Sequence, residues 1–184
     1  MDDPIKRIGS AKTAMDHGFS RVGPELDPKD DAARALLLLA CRAVAVSNAL
    51  MVLARRSLAN EALPLARSLL ELTVHMRWIA AQDSAARARE FFQECGQRNW
   101  EGIWSSRRLR ERCSALGIPA ELSERVEGWS QEHVWGNASG LPWAHVLTPP
   151  AASAVSGEAL TAAAADMMAE ALAALEQRWP GRFT

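Results

Sequence analysis

The chain has 184 residues, a formal net charge of −1 and 23% charged residues. That length suits one domain with a sizeable core, and the near-zero charge excludes a global basic field for nucleic acid or membranes. With 48% apolar residues, the composition is that of a soluble globular protein, which excludes disorder, collagen and coiled-coil arrays as the main class. Alanine is very frequent, Arg far outnumbers Lys, and there are seven Trp and no Tyr.

No stretch alternates with a period of two, and the good helix formers Ala, Leu, Arg and Glu dominate, so the predicted elements are helices. Residues 1–28 contain Gly9, Gly18, Gly23, Pro24 and Pro28. They read as an irregular N-terminal arm with at most one short helix. No apolar run of a secretory signal stands in the first residues, which leads to the expectation of a cytoplasmic protein. Asp30 and Asp31 open a long helix to about Ala59, their carboxylates suiting its positive end. Residues 36–53 are the longest apolar stretch, but Arg42, Ser47 and Asn48 interrupt it, so the expectation is a buried bundle helix rather than a membrane span. Asn60 is the expected cap of the next helix, about 61–82, with Pro64 in its first turn. Ser84 opens a third helix, about 85–115, stopped by Gly117. Pro119 starts a shorter one to about Trp129 or His133. Ser156 caps the last, about 157–179, which Pro180-Gly181 stops. The expected fold is all-α: a single-domain bundle of four to five main helices with one long irregular loop.

That loop, residues 134–155, carries three prolines, two glycines, two Trp and one His. Structureless connections of this length are uncommon and often functional, and one this apolar must fold back on the body. Cys41, Cys95 and Cys113 are odd in number and form no CxxC, which reads as three reduced thiols.

The helix at 61–82 is the most informative. Leu65, Leu69, Leu72, Met76 and Ile79 make one seam, and Leu70, Val74 and Ala81 fall nearly opposite. A helix apolar on two sides is central in its bundle. Arg67, Glu71, His75 and Trp78 form a separate stripe at steps of four, four and three. Three readings fit it: a surface stripe of i,i+4 pairs, a buried polar lock that fixes helix register, or a ligand site. If the charges are buried they need partners, and Arg42 and Asn48 of the preceding helix are candidates.

The run Ala66-Arg67-Ser68-Leu69-Leu70-Glu71, continuing to Arg77-Trp78, resembles the signature helix of an uncharacterised bacterial all-helical family. That family carries Arg-x-x-x-Glu on one helix and a later Ser and His near the start of a loop. Arg67 and Glu71 match the first part, and Ser139 and His145 the second. In outline the family is similar to the HEPN-type helical domains of toxin and phage-defence systems. The resemblance implies an α bundle, a possible homodimer and, in its enzymatic form, an RNA-cleaving activity. The spacings Arg67…His75 and Arg125…His133 are longer than in the ribonucleolytic HEPN motif.

The four histidines, His17, His75, His133 and His145, include no Glu-x-x-His and no one-turn pair. A shared three-His metal site, as in bundles resembling DinB-like hydrolases, is therefore a weak alternative, and no metal ligands are assigned. Arg107, Arg108, Arg110 and Arg112 read as a solvated basic helix end. Trp129, Trp135 and Trp143 bracket the long loop, where aromatic rings can line a pocket.

Together these features predict a small anionic or nucleotide-like ligand between the Arg67/Glu71/His75 face and the 133–145 loop. Arg67 would hold an anionic group, Glu71 would orient it, and His75 or His145 would exchange a proton. Trp78, His133, Trp135, Ser139 and Trp143 would line the site. No cofactor is named, and neither a membrane nor RNA is the favoured partner. A structural interaction module is the remaining alternative.

Overall fold

A computed structural model describes residues 3–97, 104, 108–133 and 155–184. Among them stand seven α-helices and no strand. These are α1 (Pro4–Val22), α2 (Asp31–Arg55), α3 (Leu63–Ala81), α4 (Ser84–Gln97), α5 (Leu109–Ala115), α6 (Ala120–His133) and α7 (Gly157–Arg178). A short 3-10 turn, Gly23–Glu25, follows α1.

The all-helical expectation holds at that level. The N-terminal arm does not: Pro4–Val22 is one continuous helix. Asp3 caps it by accepting from the Ile5 N–H at 3.0 Å, and Pro4 occupies the first turn, where no donor is lost. Ile8, Ala11, Met15, Gly18 and Val22 are its buried residues, at alternating steps of three and four. Gly9 and Gly18 look like breakers, but Gly9 faces solvent and Gly18 is a contact point. A Cβ on Gly18 would overlap the Phe183 ring, so glycine is there to admit that ring. The predicted third helix, 85–115, is two elements, α4 and α5, and α2 ends at Arg55 rather than Ala59. Asn60 is not the cap of α3. That position falls to Ala62, which makes no side-chain bond. Asp30 and Ser156 do cap as expected, accepting from Ala33 and Ala159 at 3.0 Å each. Gly117 ends α5 with φ +65°, the left-handed conformation of a helix stop.

The core forms around α3. It packs against α2 and α7 most extensively and against α4, α5 and α6 as well, while α1 packs on α7. Leu69, Met76 and Ile79 of the predicted seam are fully buried, and so are Leu70 and Val74 opposite. Both apolar sides are thus used, by different neighbours. Thr73 sits between them and donates its hydroxyl to the Met167 carbonyl at 3.2 Å, tying α3 to α7. Helix α2 contains a window with mean hydropathy of 2.1. Core helices and membrane-crossing helices both meet that standard of length and composition.

Substituting Gly18→Ala should destabilise the protein by about 1–3 kcal/mol, the usual penalty for overpacking. Chemical denaturation measures it, and adding Phe183→Leu should recover part of the loss. Equal stability of G18A and the parent would show that the ring moves away freely.

Candidate functional site

The stripe Arg67–Glu71–His75–Trp78 lies along α3 as predicted, but the neighbouring helices divide it into two environments. At its N-terminal end, Arg67 Nε donates to Glu71 Oε1 at 3.0 Å. Its Nη1 donates to Glu127 Oε1 of α6 at 3.1 Å. Arg110 of α5 donates to the other Glu127 oxygen. One carboxylate, its side chain only 8% exposed, therefore joins three helices. Burying that charge is sustainable because two guanidinium groups meet it. The Arg110 side chain is 66% exposed, so its share is a screened surface contact. The Cys113 thiol is pushed up in pKa, first by burial and then by the Glu127 charge. It is a protonated core residue rather than a nucleophile.

One turn further on, the surroundings become aromatic. The His75 ring lies 5.5 Å from the Phe91 ring of α4 and 5.5 Å from that of Trp104. Phe91 and Trp104 are 5.1 Å apart in an edge arrangement. The Arg112 guanidinium is fully buried and lies 5.7 Å from the centre of the Trp104 ring. Two polar atoms in this box, His75 Nε2 and Trp104 Nε1, are buried without a hydrogen-bond partner among the described residues. Burial, and next the positive charge of Arg112, lower the His75 pKa from 6.5 to about 3, although a hydrogen bond to the Trp104 backbone acts the other way. The imidazole is neutral at pH 7. With one ring nitrogen engaged at that backbone, Nε2 is left as a buried acceptor.

The remaining predicted residues separate. Trp78 has its ring face covered by the Arg87 guanidinium at 4.1 Å, and Arg87 also donates to the Trp78 carbonyl at 2.6 Å. Its face is filled from within the protein. The expected partners Arg42 and Asn48 do not meet the stripe. Both are exposed on α2, and Asn48 accepts from Lys12 of α1. Their place is taken by Glu127, which Arg110 meets in turn. His133 ends α6, but its side chain lies outside the described residues, as do Trp135, Ser139, Trp143 and His145. His17 is exposed on α1, and among the described residues no three His, Cys, Asp or Glu side chains could hold a metal.

Sequence reading missed Glu127, Phe91, Trp104 and Arg112 as members of the site. For Arg112 the signal was present: Leu109, Cys113 and Leu116 define an apolar face on which Arg112 also falls. For Glu127, adjacency to Val126 and one-turn spacing from Ser123 mark the same buried face.

The sequence profile of a family of unknown function, DUF5677, matches residues 33–124, half of the chain. This protein belongs to that family. The matched span runs from α2 into the first turns of α6, so it contains the α3 stripe and the aromatic box and stops short of Glu127. No curated protein and no solved structure matches the chain.

The buried neutral histidine makes stability depend on pH. Below pH 6.5 the unfolded chain takes up a proton at His75 that the folded protein refuses until about pH 3. Stability from this residue is complete above the higher value and is lost as pH falls between the two, at a slope approaching about 1.4 kcal/mol per pH unit. Denaturation of the parent and of His75→Phe between pH 7.5 and 4.5 (roughly the window set by that linkage) should show the parent losing stability more steeply. Parallel curves would contradict a neutral buried imidazole.

Proposed function

We propose that this protein is a helical-bundle binding protein for a small, flat, anionic ligand of the nucleotide type, held at the box of His75, Phe91, Trp104 and Arg112. The observation that carries this reading is the pair of buried polar atoms, His75 Nε2 and Trp104 Nε1, that have no hydrogen-bond partner among the described residues. Buried polar groups are nearly always satisfied, and each exception calls for an explanation such as a bound molecule or water. The two offer one acceptor and one donor, the complement of a planar heterocycle edge. The aromatic faces favour a flat molecule, and a buried guanidinium favours an anionic one. The reading keeps the expected ligand class but moves its anion grip from Arg67 to Arg112, the guanidinium that lies beside the Trp104 ring. The 133–145 loop, expected as the other wall, lies outside the described side chains.

A binding role is better supported than catalysis by His75. An acid or base works best with a pKa near the working pH, and a value of about 3 leaves His75 a weak base at neutrality. The HEPN-like reading, with RNA cleavage in a dimeric cleft, needs its histidine elsewhere, at His133 or His145.

A second reading, the polar lock, rests on the bridging of α3, α5 and α6 through Glu127. The two readings are compatible at different ends of the stripe and separate in one experiment. A panel of nucleoside monophosphates, with simple aromatic carboxylates beside them, should raise the melting temperature by several degrees at saturation. A ligand at about a hundred times its Kd contributes about 2.7 kcal/mol. His75→Ala should abolish that shift. Glu127→Gln should lower the unliganded melting temperature through a loss of about 3 kcal/mol while keeping the shift. A panel that moves nothing, beside the same loss in E127Q, would leave the lock and remove the binding reading.

A further inference from the structure

Among the described residues, helix α2 has a face that the bundle leaves uncovered. Its buried residues, among them Leu36, Ala43, Val46 and Leu50, turn toward α3 and α7. On the other side Leu38 is 61% and Val52 50% exposed, and Cys41, Ala45 and Ala49 between them are exposed as well. At about 100° per residue these five fall within about 40° of one line, with Leu38, Ala45 and Val52 at heptad intervals. The profile along that line is a large residue, a low floor of small ones, and a second large residue about 21 Å away.

The charges that α2 itself places around this face have one sign, while Asp3 and Glu158 line the same hollow as Arg55 beside its C-terminal end. Arg34 and Arg56 lie on the same line beyond its two ends, and Arg42 and Arg55 lie on opposite flanks. Arg34 is neutralised by Asp31 at 3.0 Å. Arg42, Arg55 and Arg56 are exposed and have no ion pair among the described residues. No acidic residue follows Asp31 anywhere on α2.

We propose that this face docks an acidic amphipathic helix of a partner protein. An apolar ridge of that helix would seat over Ala45 between Leu38 and Val52, and carboxylates about four turns apart would reach Arg42 at one end and Arg55 and Arg56 at the other. Charge selects the occupant. A second copy of the chain would face its own arginines: an antiparallel two-fold through Ala45 opposes Arg34 to Arg56, and a parallel one opposes Arg42 to Arg42. The hollow floor also suits the ridge of a helix, which packs into grooves, better than the level surface of a bilayer. An interface of one helix on another is small, so the affinity is that of a transient complex.

The test uses the full-length chain and a fluorescein-labelled, roughly 18-residue helical peptide of Glu, Leu and Ala, read by anisotropy. A second peptide has every Glu replaced by Lys. The acidic peptide should bind at least about tenfold more tightly, a difference of about 1.4 kcal/mol, and more weakly as salt rises. The double variant Arg42→Glu, Arg55→Glu alters only exposed side chains and should melt as the parent does. It should lose at least about tenfold in affinity for the acidic peptide and gain for the Lys peptide. Three outcomes would overturn the proposal. They are equal binding of both peptides, or none, by the parent; sedimentation of the parent as a dimer that Leu38→Glu dissociates; or capture on anionic phospholipid vesicles that R42E/R55E abolishes while peptide binding is absent.

Discussion

A helix surrounded by five others must satisfy its polar side chains largely from inside the protein. That constraint on α3 organises the rest of the molecule. Leu69, Leu70, Val74, Met76 and Ile79 commit it to the core on two sides, which leaves Arg67, Glu71 and His75 on a third. Arg67 cannot be left with an unmatched charge in such a setting, and α6 supplies Glu127 to meet it. His75 meets the constraint differently. It gives up its charge, because burial among Phe91 and Trp104 beside Arg112 makes the protonated form unfavourable. One stripe of one helix thus holds an ion-paired end that fastens neighbours and a neutral end that has hydrogen-bonding capacity to spare.

Much of this was legible from the residues. The two apolar seams of α3 marked it as central, and helix propensity and caps located α2, α3 and α7 to within a few residues. The stripe itself was visible as spacing. What could not be read was which residues face it. Pairing across helices depends on how α5 and α6 dock, and nothing local in the sequence announces that Glu127 rather than Arg42 approaches Arg67. The error at α1 has a different cause. Gly9 and Gly18 were weighed as helix breakers by propensity, whereas tertiary packing decides. Gly18 is where the Phe183 ring, far along the chain, needs room. The basic run at 107–112 shows the same limit: charge suggested a solvated helix end, but apolar spacing put Arg112 inside.

The two ends of the stripe and the outer face of α2 divide the arginines by task, which gives the Arg-over-Lys bias a physical sense. Arg67 uses its fork to contact two carboxylates at once, a geometry that an ammonium does not offer. Arg87 and Arg112 approach tryptophan rings, where a planar cation is favoured. Arg42, Arg55 and Arg56 stand in solvent around an apolar stripe. The family span, 33–124, takes in the second and third groups together with Arg67, so the site and the outer face of α2 lie on the same family unit.

The central claim is that His75 is a neutral, buried acceptor. Nitrogen-15 NMR of the imidazole, with histidine labelled and His75 assigned by His75→Gln, tests it most directly. The account predicts one protonated and one bare ring nitrogen, unchanged from about pH 7.5 to about pH 5. A His75 signal that titrates near 6.5, the ordinary value, would contradict it.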